Sequence, residues 1–160
     1  MTERSKSRKS WREKLADRKG LPRVEKIPER LRKRWGIGTM VIPAPQEVDE
    51  IMKQVPKGKL TTINEIRARL AEKHGATIGC PITTGIFAWV AANAAKEAAD
   101  AGDKNLNPYW RTLKTGGIIN EKYPGGVEAQ KKILEKEGHQ FIQKGKRVLV
   151  LDFEKNLLEW

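Results

Sequence analysis

Covalent chemistry has few residues to work with in this chain. Its one cysteine, Cys80, stands in Gly79-Cys80-Pro81, ahead of an alanine-rich helical stretch whose N-terminus could lower a thiol pKa. A lone cysteine is more often a small buried hydrophobe. It excludes an internal disulfide and argues against a cysteine-built metal site. The two histidines, His74 and His139, have no ligand spacing. The densest motif is Asn107-Pro108-Tyr109-Trp110-Arg111-Thr112-Leu113, followed by Gly116-Gly117, Tyr123-Pro124-Gly125-Gly126 and Glu137-Gly138-His139. Two aromatic rings stand at its centre. A phenol that titrates near about 10 is a poor nucleophile at neutral pH, and an indole cannot accept a proton. Neither Tyr109 nor Trp110 suits a reaction at neutral pH.

Charge is unevenly placed. Residues 1–35 hold 14 Lys/Arg against 5 Asp/Glu, so +9 of the formal +12 lies in the first fifth of the 160-residue chain. A basic arm on a nearly neutral remainder suits a polyanion, most commonly nucleic acid; a solvated leader is the plain alternative. No apolar run approaches the roughly 20 residues of a membrane span, and the charged N-terminus lacks the apolar core of a signal peptide. The expectations are no membrane partner, no metal, no cofactor and a cytoplasmic location.

Periodicity gives the elements that must position these residues. Ser10-Trp11-Arg12-Glu13 has capping-box spacing and opens a helix to about Lys19, stopped by Gly20. Pro28 suits the first turn of another, Glu29 to Trp35, ended by Gly36. Too short to fold alone, both would dock by Trp11 and Trp35 or order on a partner. Residues 36–45 read as a linker containing an extended run, Met40-Val41-Ile42. Val48, Ile51, Met52 and Val55 form the buried stripe of a helix after Pro45. Thr62-Ile63-Asn64-Glu65 is a second capping box, starting a helix that turns Ile66 and Leu70 inward and closes at His74-Gly75. A longer helix from about Ile82 to Ala101 carries Phe87, Trp89 and Val90. Short capped helix, glycine-containing turn and longer helix make a helix-turn-helix pattern. Trp110 to Leu113 reads as a short strand, and Gly125-Gly126 opens a fourth helix. Phe141 to Phe153 reads as a β-hairpin around Gln143-Lys144-Gly145-Lys146, the wing. The expected class is mainly α with a small β-hairpin: a winged helix-turn-helix-like DNA-binding domain over 36–160, behind a basic arm over 1–35.

Residues from about 45 to 139 resemble the methylguanine-DNA methyltransferases, and are closest in kind to their non-catalytic relatives, the alkyltransferase-like proteins. Besides the motifs above, Val55-Pro56-Lys57-Gly58-Lys59-Leu60-Thr61-Thr62-Ile63-Asn64-Glu65-Ile66 carries the likeness. In that family the cysteine of Pro-Cys-His-Arg-Val is activated by the adjacent histidine, which a glutamate in a Glu-Gly-His helix ending orients. Glu137 matches the acid. The nucleophile and base positions hold Tyr109 and Trp110, so the resemblance implies a protein that is not an enzyme. It places Ile63 in the slot of the tyrosine that pushes the target nucleotide and Ile82 in the slot of the arginine that fills the vacated stack. Arg111 is the motif arginine, while Tyr123, Gly125 and Gly126 match the loop lining the lesion pocket. The implied pocket is therefore Ile63, Tyr109, Trp110, Tyr123, Gly125, Gly126 and Glu137.

Binding is the function left. Thr61, Thr62 and Asn64 stand at a helix start whose amides can hold phosphate, and Thr83 and Thr84 in the first turn of the recognition helix. With Ile82, Arg111 and the hairpin residues Lys144, Lys146 and Arg147 they make the expected DNA contacts. Threonines at helix starts are equally often caps, and Gly125-Gly126 equally a turn. The recognition helix has no Lys or Arg before Lys96, which leaves phosphate neutralisation to the arm and the hairpin. The expected partner is double-stranded DNA, with or without alkylated guanine. Open alternatives are a protein partner docked around Phe87 and Trp89, and RNA held through the arm.

Overall fold

The structure is a computed structural model that describes residues 9–104 and 106–160; the first eight residues of the basic arm lie outside the described residues. Its elements run α1 (Trp11–Ala16), β1 (Arg23–Lys26), a 3-10 turn leading into α2 (Arg32–Trp35), β2 (Thr39–Ile42), α3 (Pro45–Lys53), β3 (Thr61–Thr62) and α4 (Ile63–His74). β4 (Ile78–Gly79), α5 (Pro81–Asp100), β5 (Thr112–Leu113), α6 (Gly126–Lys136), β6 (Phe141–Lys144) and β7 (Arg147–Val150) follow. No helix among the described residues is long and apolar enough to cross a membrane.

Three helices share the main core. Val48 and Met52 of α3, Ile66 and Leu70 of α4, and Phe87, Ala88, Ala91, Ala92 and Ala95 of α5 are buried together. The alanines leave little side chain between α5 and its neighbours, so the helices approach closely. Caps fix where α3 and α4 begin, and Pro81 stands at the start of α5. The Ala44 N–H donates to Glu47 Oε1 at the start of α3, and Glu65 N–H donates to Thr62 Oγ1 at the start of α4. Gly75 ends α4 in the left-handed conformation, φ +64°. From α4 the chain passes through β4 into α5, the helix-turn-helix. The turn is tight: Arg67 Nε donates to Gly79 O at 2.8 Å.

The β structure is richer than a single hairpin. β2 pairs antiparallel with β1 and parallel with β4 in a three-stranded sheet. Ile27, Met40, Ile42 and Cys80 are buried against it, with Trp35 packed alongside. β3 pairs parallel with β5, Thr61 opposite Thr112, tying the start of α4 to the aromatic motif. The strand expected over Trp110 to Leu113 is confined to Thr112–Leu113, because Tyr109–Arg111 form a 3-10 turn. β6 and β7 form the wing hairpin, over a second core of Leu60, Leu113, Ile119, Leu134, Val148 and Val150.

α1 ends at Ala16, short of the expected Lys19, because Asp17 turns extended at its C-cap and accepts from the Lys19 N–H. Its Trp11 and Arg12 amides donate to the Glu97 carboxylate, and the Trp11 ring meets Trp89 edge-on at 4.8 Å. The basic segment is docked on α5.

Two glycines make opposite predictions. A Cβ on Gly79 would lie 2.7 Å from the Arg67 carbonyl oxygen, which is backbone and cannot swing away. Gly79→Ala should cost about 1–3 kcal/mol. A Cβ on Gly85, inside α5, meets nothing within 4 Å, so Gly85→Ala should stabilise by about 0.5–1 kcal/mol. Thermal unfolding should show Tm falling for the first variant and rising by a few degrees for the second.

Candidate nucleic-acid interface

The aromatic motif faces inward. The β3–β5 pairing and the 3-10 turn carry Tyr109 into the main core, where it is 9% exposed beside Tyr123 at 2%. The Tyr109 ring stands edge-on to Trp110 at 5.2 Å between centroids and to Tyr123 at 5.9 Å. Of the residues expected to line a pocket, Tyr109 and Tyr123 are packed in this core. Burial pushes the Tyr109 phenol up, with the Lys96 charge pulling weakly the other way. Tyr123 is pushed up further by complete burial, against a hydrogen bond with Asn120. Both phenols are neutral at physiological pH.

Glu137 closes the arrangement from the end of α6. Its carboxylate accepts from Arg111 Nε at 3.0 Å and Nη2 at 2.8 Å, and from the Trp110 indole N–H at 3.0 Å. Arg111 Nη1 donates to Val55 O at 2.8 Å. Burial alone would raise the Glu137 pKa; the hydrogen bonds from Arg111 and Trp110, with the Arg111 charge, outweigh it and hold the carboxyl below its usual range. The acid expected to orient a base is thus neutralised by a paired guanidinium. His139, next but one, is buried, and desolvation lowers its pKa despite the Glu137 charge. Gly125 and Gly126, at φ +80° and +69°, turn the chain into α6, and the buried Gln130 fixes that loop by donating to Asn120 O and Gly126 O.

Several expected DNA contacts are corrected by this placement. Arg111 points into the protein and is paired there. Thr61 and Thr84 are fully buried, because β3 and the inner face of α5 lie against the core. The Thr83 hydroxyl is also buried, without a partner. Thr62 acts as the α4 cap. Asn64 stays on the surface, its Oδ1 accepting from Arg67 Nη1. Lys144, Lys146 and Arg147 are exposed at the wing tip. Phe87, expected on a protein-docking face, is 6% exposed and belongs to the core. Cys80 is buried under the three-stranded sheet, as the small hydrophobe its isolation suggested.

The outer face of α5 is where surface remains. Ile82, Ile86 and Trp89, on successive turns, are 59%, 47% and 37% exposed. With Ile63, Gly85, Lys114, Asn120 and Lys122 they line an open cleft of about 450 Å³. Ile63 and Ile82 therefore share this cleft, Ile63 at the same time packing against the main core. Sequence reasoning missed Ile86, Lys114, Asn120 and Lys122. The signal was present: Ile82, Ile86 and Trp89 keep helical spacing on a second face of a helix whose first face is already apolar. Among the described residues no cluster could hold a metal ion.

No protein-family model matches this chain, and no curated protein does. Two solved structures are similar in fold. One is S. pombe Atl1 in complex with damaged DNA containing O6-carboxymethylguanine, 20% identical over 72% of this chain and 94% of that one, with a TM-score of 0.47. The other is S. pombe ATL in complex with DNA, also 20% identical with the same coverage, at a TM-score of 0.45.

Removing the Glu137 charge should be costly. Arg111 and Glu137 side chains are 14% and 6% exposed, so Glu137→Gln leaves a buried guanidinium without its counter-charge and should lose about 3–5 kcal/mol in denaturant unfolding. Because the folded pKa is depressed, this contribution is complete above the ordinary value of 4.5 and disappears as pH falls through the folded pKa. Wild-type stability should drop below about pH 4.5, and Glu137→Gln should show a shallower acid limb. Glu47, held down by Lys73, the Ala44 amide and His74 against its own burial, keeps its share in both.

Proposed function

We propose that this protein binds duplex DNA non-covalently and does not transfer alkyl groups from it. One observation supports this reading: Tyr109, which the resemblance sets in the nucleophile position, is a buried phenol, while the outer face of α5 and the basic wing tip remain open. Lys144, Lys146 and Arg147 at the wing, with Asn64 and the backbone at the start of α4, take phosphates. Docked α1 adds Arg12 near α5, although Glu97 and Asp103 balance part of that charge. With Tyr109 and Tyr123 filling the interior, an alkylated guanine is met in the groove or the stack. A protein-docking function would use the same apolar face of α5 and would be insensitive to salt.

Fluorescence anisotropy with duplex DNA separates these readings. Affinity should fall linearly on a log–log plot between about 50 and 200 mM salt. Replacing Lys144, Lys146 and Arg147 by alanine should reduce that slope by roughly one for each phosphate no longer neutralised. The intact mass after incubation with a duplex carrying O6-methylguanine should be unchanged. Salt-independent or undetectable binding contradicts the DNA function, preferential competition by RNA redirects it, and an added alkyl mass on Cys80 or Tyr109 overturns the non-catalytic part.

A further inference from the structure

The chain ahead of residue 45, where the resemblance begins, carries a cationic face of its own. Leu31 and Trp35, one helical turn apart, pack inward on the core of Ile27, Met40, Ile42 and Cys80, so the residues around them turn outward. Lys26, Arg30, Arg32, Lys33 and Arg34 are all exposed. Glu29 is the one acidic residue from Lys26 to Gly38. It stands one turn before Lys33, where a pair would form on a helix, and makes none. Among the described residues none of the five cations has a carboxylate within ion-pair distance, whereas neighbouring Arg23 is paired with Glu25 at 3.1 Å.

This face is fixed to the helix-turn-helix. The Thr39 N–H donates to Thr77 Oγ1 at 3.0 Å, and the Thr77 N–H, in the turn between α4 and β4, donates to Thr39 O at 3.0 Å. A side chain at Gly38 would run into Thr77. β2 then pairs with β4, and the N–H of Cys80, the N-cap of α5, donates to Val41 O at 2.9 Å. Since Trp35 packs on the cluster that contains Cys80, α2 stands beside the start of the recognition helix. Backbone hydrogen bonds hold it there.

We propose that α2, with Lys26 and Arg30, is a second phosphate-binding surface that grips the backbone of the duplex held by the helix-turn-helix and the wing. The inference rests on the DNA-binding function above. α5 brings no cation before Lys96, so neutralisation of phosphates next to its first turns has to come from elsewhere. α2 and the turn before it supply three guanidiniums at that end, whose planar forks match phosphate oxygens. Contacts of this kind read no base edge. The face therefore adds affinity and salt dependence without adding sequence preference.

The test compares three variants of the full chain by anisotropy on one duplex across a salt series. One is Arg30→Ala/Lys33→Ala/Arg34→Ala on this face, and one is Lys144→Ala/Lys146→Ala/Arg147→Ala on the wing. The control is Lys104→Ala/Lys132→Ala/Lys136→Ala, exposed cations assigned no contact. All three lose the same formal charge, so net charge alone would move them together. The α2 variant should lower the slope of log affinity against log salt by about two to three, and the control should match wild type. Hydroxyl-radical footprinting should show two separate stretches of protected backbone, one lost in the α2 variant and the other in the wing variant. An α2 variant with wild-type slope and footprint, or a control that falls as far, overturns the second surface and leaves the DNA function standing. A loss on structured RNA with none on duplex assigns the face to RNA and also overturns the proposal. No binding of wild type to any duplex overturns both.

Discussion

A carboxylate at the end of α6 fixes the inside of this molecule. Glu137 receives three hydrogen bonds, two from the Arg111 fork and one from the Trp110 indole, and Arg111 reaches on to the Val55 carbonyl. Three segments meet there: the residues just after α3, the 3-10 turn and the end of α6. Each polar atom is nearly desolvated, so the cluster tolerates one arrangement and strongly disfavours a partly made one. With Trp110 and Arg111 held by this acid, the preceding residue has one direction open to it. Tyr109 goes into the core.

That placement separates the molecule's two surfaces. The interior beside the Glu137 cluster is occupied by Tyr109 and Tyr123, whose phenols burial pushes up. The exterior keeps a helix-turn-helix, a wing with three exposed cations, and an apolar ridge on α5. α5 is apolar on two faces, one packed with alanines against α3 and α4, the other open except where α1 covers Trp89.

Much of this was legible in the chain. Capping residues placed the starts of α1 and α4, and the apolar stripes of α3 and α4 named their core residues, because burial imposes helical spacing directly on sequence. The wing was readable from its alternation about Gly145. What escaped was decided by pairing between distant residues. β1 is Arg-Val-Glu-Lys, with three charged residues in four; only its register against β2 makes it a strand, and local pattern carries no trace of that. Arg111 looked like a DNA contact because its acid partner lies 26 residues away. Thr61 and Thr84 have sequence neighbours typical of surface caps, and are buried by β3–β5 pairing and by the rotation of α5. The cleft was hidden because Ile86 resembles a core residue in a helix that already had a core face, and because Lys114, Asn120 and Lys122 reach it from a distant loop.

The central claim is that Tyr109, held by the Glu137 cluster, occupies the space an extruded guanine would need. Titrating the intact protein with O6-methylguanine nucleoside, followed by the NMR signals of the Tyr109 and Tyr123 rings, tests it most directly. The rings should keep their shifts to the solubility limit of the nucleoside, with no saturable binding. Saturable displacement of the Tyr109 ring resonances would show that the pocket opens, and would contradict the account.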